Sequence, residues 1–107
     1  MYGSINKAII EKALDIVSGM VSEYLRLESY SLLLPYLRGQ RKQEIIEQAF
    51  ELASNLKDKD RRPEAFSLII PHLDEPRKKE IYVKALNLAF GIQSESRREE
   101  ALSSLAL

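Results

Sequence analysis

Arg26-Leu27-Glu28-Ser29-Tyr30-Ser31-Leu32-Leu33-Leu34-Pro35-Tyr36-Leu37 returns 36 residues later as Arg62-Pro63-Glu64-Ala65-Phe66-Ser67-Leu68-Ile69-Ile70-Pro71-His72-Leu73. The two stretches share Arg, Glu, Ser, Leu, Pro and Leu at the same spacing. Outward from them the match continues without a gap, residues 13–48 against 49–84. Beyond the six identities above, it adds Ala13/Ala49, Ser18/Ser54, Arg41/Arg77, Lys42/Lys78, Glu44/Glu80 and Ile45/Ile81, twelve in all. Unrelated sequences would share about two. A third copy follows with Ala85, Arg98, Glu100 and Ser103 in register. Any two amphipathic helices share apolar spacing. They have no reason to share Arg26/Arg62, Pro35/Pro71 or Arg41-Lys42/Arg77-Lys78, so the chain is a repeat protein.

Each unit reads as two helices. Ile9, Ala13, Ile16, Val17 and Met20 lie on one helical face, and Ile10 and Leu14 widen it. A stripe this broad suits a helix with neighbours on both sides. The pattern recurs around Ala49 and Ala85, whose small side chains let helices approach closely. A shorter helix carries Tyr30, Leu33, Leu34 and Leu37, then Phe66, Ile69, Ile70 and Leu73, then Leu102 and Leu105. Pro35 and Pro71 fall inside these short helices. Proline removes a hydrogen bond and clashes with the preceding turn, so each should end in a loose final turn.

The spacing therefore predicts an all-α chain forming a single repeat domain over 1–107. It contains three antiparallel hairpins in units of about 4–39, 40–75 and 76–107, with linkers near 21–24, 38–40, 57–60, 74–75 and 93–95. The long helices are expected to start near Ser4, Arg41 and Pro76. Ser96 with Glu99 reads as a capping box, with Asp60 in the same register ahead of Pro63. Gly19, Asn55 and Gly91 share a register near the ends of the long helices. They read either as left-handed C-caps or as small residues that permit close packing.

Composition narrows the chemistry. The chain of 107 residues has 16 Lys and Arg against 16 Asp and Glu, one His, and no Cys or Trp. Without Cys there is no disulfide, thiolate metal site or Cys nucleophile. Zero net charge argues against bulk attraction to nucleic acid or an anionic membrane. No apolar run approaches the roughly 20 residues that span a bilayer. The N-terminal stretch lacks the pattern of a signal peptide, so a cytoplasmic protein is expected.

The run Arg62 to Leu73, a charged turn, and then Ala85-Leu86-Asn87-Leu88-Ala89 resemble a class of helical-hairpin repeats. Its members carry an arginine, a Glu-Ala-Leu-like triplet and Leu-x-Pro-His-Leu. They belong to the α-solenoid group that includes HEAT and tetratricopeptide repeats. The resemblance covers roughly residues 8–107. It implies a right-handed stack of helix pairs serving as a binding surface, of the kind found in arrays beside bacterial and archaeal nucleotide-switch ATPases. The period of 36 and the absence of Trp depart from the tetratricopeptide signature, and no Gly-rich phosphate loop is present.

Three sets of residues invite a functional reading. Arg26, Arg62 and Arg98 recur at the start of the short helices, where the helix dipole disfavours a cation. A structural role is favoured, with each guanidinium reaching carbonyls at the end of the preceding long helix or a nearby Glu. Arg38, Arg41, Lys42, Arg77, Lys78 and Lys79 cluster where the long helices begin. This candidate basic edge could hold phosphate, although Glu44, Glu47, Asp74, Glu75 and Glu80 balance it. His72 pairs in register with Tyr36, which argues against repeated chemistry at that position. No nucleophile, base and orienting group stand in a recognisable pattern, so neither catalysis nor a cofactor or metal is expected. The expectation is a protein-interaction scaffold. Its apolar ends, with Ile5, Ile9 and Ile10 at one and Leu102 to Leu107 at the other, suit self-association or a longer array. Nucleic acid along the basic edge is the alternative.

Overall fold

A computed structural model describes residues 6–106. The expected helix start at Ser4 and the apolar end residues Ile5 and Leu107 lie outside the described residues. The fold is all-α, with six helices: α1 (Lys7–Ser18), α2 (Glu23–Leu33), α3 (Gly39–Ser54), α4 (Arg62–Ile69), α5 (Arg77–Phe90) and α6 (Glu95–Leu105). Single 3-10 turns follow α2 at Leu34–Tyr36 and α4 at Ile70–His72, and another precedes α4 at Lys59–Arg61.

The prolines account for the first two turns. Pro35 and Pro71 lack the N–H that an α-helix would use, so the chain tightens. Leu37 N donates to Leu34 O and Leu73 N to Ile70 O, each at 3.1 Å. Leu37 and Leu73 then turn extended and are buried. The proline thus ends the short helix and drops a leucine into the core at the same point of both repeats.

The caps lie elsewhere than the sequence suggests. Ser94, not Ser96, caps α6, accepting a hydrogen bond from Arg97 N. Ser22 does the same for α2 through Leu25 N. Asp58, not Asp60, caps the turn that leads into α4. Ser22, Asp58 and Ser94 form a register of their own, two residues ahead of the expected one. The Ser96/Glu99 pattern competed with it because Ser94 has Arg97, not an acid, three residues on.

Gly19, Asn55 and Gly91 do end the long helices, but with φ of −92°, −114° and −81° they are not left-handed. Their N–H groups bond back to carbonyls of the last helical turn. Among the described residues the glycine that does adopt positive φ is Gly39, at 58°, opening α3 two residues before the expected start at Arg41.

Successive helices pack against one another, and α2, α4 and α6 lie side by side as a row. The long helices α1, α3 and α5 stand farther apart from each other than the short ones do. One continuous core runs between the rows. Leu27, Leu34, Ile45, Ile46, Phe66 and Ile69 are its largest fully buried members. Ala49, Ala53, Ala65, Ala85 and Ala89 have no exposed surface, which is where the helices close on each other. No polar or charged residue is buried among the described residues. The radius of gyration is 14.6 Å and the extents are 46 × 31 × 22 Å. A closed globule of about 100 residues would have a radius of gyration near 13 Å, so the molecule is somewhat extended.

Candidate interaction surfaces

The repeated arginines divide into two kinds. Arg62 Nε donates to Leu56 O at 2.9 Å, and Arg98 Nη1 to Ile92 O at 2.8 Å, in each case six residues back. These carbonyls lie just past the ends of α3 and α5, where the helix no longer supplies a donor. Arg26 holds the same register in the first hairpin, yet its Nε is buried with no partner among the described residues.

A second arginine pair crosses between hairpins. Arg41 Nε and Nη2 each donate to the Glu11 carboxylate at 2.8 Å, and Arg41 also reaches Glu44. Arg77 repeats this one unit on, gripping both oxygens of Glu47 and stacking over the Phe50 ring with its guanidinium carbon 5.1 Å from the centroid. Hydrogen bonding by these arginines holds the Glu11 and Glu47 carboxyls below the usual carboxylate range. The pairs thus span the wider gap between the long helices.

A third contact recurs with altered chemistry. Arg97 donates to Asp58 at 2.8 Å and to Asp60 at 3.0 Å. One unit earlier, Arg61 lies 3.8 Å from the centre of the Tyr24 ring. Tyr24 stands in the register of Asp60, so an ion pair and a cation–π contact do the same bridging work. Burial first, and then the charge of Glu64, push the Tyr24 hydroxyl up to about 12.

The basic edge is therefore not a free row of cations. Of its six residues, Arg41 and Arg77 are committed to carboxylates. Arg38 and Lys79 are exposed, whereas Lys42 and Lys78 are half-buried. Lys42 lies near His72, whose pKa is lowered by burial and then by that charge. Sequence reasoning placed all six on one edge but had no means of seeing the two pairings. The signal was present: Glu11 and Glu47 are themselves 36 residues apart, each 30 residues before an arginine.

A cavity of about 490 Å³ opens between the first and second hairpins. Ser18, Glu23, Arg26 and Tyr30 line one side, and Glu47, Gln48 and Leu52 are among the residues opposite. No group of three or more His, Cys, Asp or Glu among the described residues is arranged to hold a metal. No described helix is long and apolar enough to cross a membrane.

The two ends of the molecule differ from its inner junctions. Ile45 lines the gap facing Glu11, Leu14 and Tyr30, and is 1% exposed. Its register partner in the first hairpin, Ile9, is 57% exposed, and Ile16, the partner of the part-buried Leu52, is open as well. Leu25 and Leu32 on α2 are exposed as well. At the far end Val83 and Phe90, two turns apart on α5, are 47% and 64% exposed. Leu102, in the register of the buried Tyr30 and Phe66, is half-uncovered. Comparisons with protein-family models, curated proteins and solved structures find no significant match to this chain.

Proposed function

We propose that the chain is a non-catalytic protein-interaction scaffold that self-associates through its apolar ends, working in the cytoplasm. The observation that carries this reading is the contrast between Ile9 and Ile45. One residue type in one register is buried in the second hairpin, against the first, and open in the first hairpin among the described residues. Scattered exposed leucines are ordinary, but a contiguous apolar end face is a docking surface. The resemblance to helical-hairpin repeats points the same way, since stacking on like units is how such repeats bury their faces. The commitment of Arg41 and Arg77 to Glu11 and Glu47 weakens the alternative of a phosphate-binding edge.

Salt separates the two readings. Association through apolar faces should persist or strengthen as salt is raised, and the protein should not be retained on heparin. Sedimentation of the full chain at low and high salt measures the first, and a heparin column measures the second. Retention that is steeply salt-dependent and lost in Arg38→Glu/Lys79→Glu would replace the scaffold reading with the nucleic-acid one.

A further inference from the structure

The inner junctions define a code for what one hairpin requires of the next, and the two ends can be checked against it. A copy stacked in register would present its first hairpin as a fourth. The C-terminal face of one molecule would then meet the N-terminal face of its neighbour.

Two inner contacts recur across junctions, and a third pair of positions faces across one cavity. In the first, Glu11 meets Arg41 and Glu47 meets Arg77. The next acidic position is filled by Val83, and the position 36 residues before Arg41 is Ile5, so the sequence exchanges a charged pair for an apolar one. In the second, Tyr24 meets Arg61 and Asp60 meets Arg97. The next members of that series are Ser96 and, in the following copy, Leu25, neither of them charged. In the third, Ser18 and Gln48 line opposite sides of the same cavity. Two units on, Ser18 becomes Phe90, and Gln48 becomes Lys12 of the following copy. An aromatic ring would then fill the space left open at the first junction, with an ammonium beside it. Lys84, also in the Gln48 register, already sits over aromatic rings, 5.5 Å from Phe50 and 5.7 Å from Phe66.

In the first two series both sides of the end junction change together, whereas in the third only the Ser18/Ser54 side changes, to Phe90, and the lysine of Lys84 is kept as Lys12. A single-sided change in either of the first two would leave a charge facing an uncharged partner, so these pairs, a third to a half exposed, would lose the Coulomb gain that the inner junctions have. From this we infer that a second copy docks head to tail, the Val83/Phe90 face of one molecule on the Ile9/Ile16/Leu25 face of the next, in the register of the internal junctions. The inference rests on the scaffold reading above and specifies its partner. Because the two faces differ, the contact is heterologous and extends into an open array instead of closing as a pair.

Two variants test the mode of docking. Val83→Glu restores the acid that Glu11 and Glu47 show the fold accepts, and Ile9→Glu charges the opposite end. Both sites are exposed, and circular dichroism should show each variant folded. By light scattering, each alone should be monomeric at concentrations where the wild type assembles. Mixed in equal amounts, they should form a two-copy complex and nothing larger, since one open face of each kind remains. If Val83→Glu alone still dimerises, the contact is end to same end, and the head-to-tail inference falls while the scaffold reading stands. If the wild type is monomeric at every concentration, both fall.

Discussion

Arg62 and Arg26 share a register and have different surroundings. Arg62 supplies the donor that Leu56 O would otherwise lack, in a part-buried setting. Removing one partner of such a bond exposes the other to a desolvation cost of about 1–3 kcal/mol. Arg62→Ala should therefore lower the thermal midpoint, by roughly 4–8 °C for each kcal/mol lost in a domain of this size. Arg26 Nε is buried without an acceptor, so its truncation removes an unsatisfied donor as well as a side chain. Arg26→Ala should shift the midpoint clearly less than Arg62→Ala. Equal shifts in the two variants would contradict the assignment of Arg62 to the carbonyl. Sequence comparison could say that the three arginines were equivalent by position. It could not see that the Nε of the first lacks an acceptor, because a shared register does not reveal which carbonyl a side chain reaches.

At the scale of elements, the glycines separate what is legible in a sequence from what is not. Gly19 and Gly91 look like left-handed caps because glycine is the usual choice there. Both adopt right-handed conformations that any residue can take. A Cβ at Gly19 would come no closer than 3.6 Å to Ile16 O, an ordinary contact. Gly39 lies in a predicted linker with nothing in its neighbourhood to mark it, yet it alone carries φ of 58° among the described residues. Gly39→Ala should destabilise by about 1–2 kcal/mol, whereas Gly19→Ala should be neutral or stabilise by about 0.4–1 kcal/mol. Chemical denaturation of both variants checks this, and a reversed order would contradict it. The same division holds for the short helices. The 3-10 ends at Pro35 and Pro71 follow from a local rule about one residue type, so they were readable. The caps at Asp58 and Ser94 depend on which of two like residues two apart the chain uses, and local pattern favoured Asp60 and Ser96 instead.

Over the whole molecule, the repeat explains both the core and its edges. Two inner junctions bury Ile45 and Ile81 to 1% and 8% exposure, and among the described residues Ile9 in the first hairpin is open. The all-helical architecture was visible in the sequence, but of the expected apolar end residues Ile9 is open while Ile10 and Leu105 are buried in the core, and the open Ile16, Leu25, Val83 and Phe90 were not among them. The ion pairs that join the long helices were not visible, because charge balance along a sequence does not reveal which acid meets which base. Those pairs also explain why the candidate basic edge is less available than its composition suggests. The account therefore turns on the open ends.

A concentration series in small-angle X-ray scattering tests that point most directly. In the dilute limit the chain should scatter as a 12.3 kDa monomer with a radius of gyration near 14.6 Å. As concentration rises, the forward scattering per unit mass should climb past the value for two copies without levelling there. Scattering that stays at the monomer value throughout, or that stops at two copies, would contradict an open stack of hairpins.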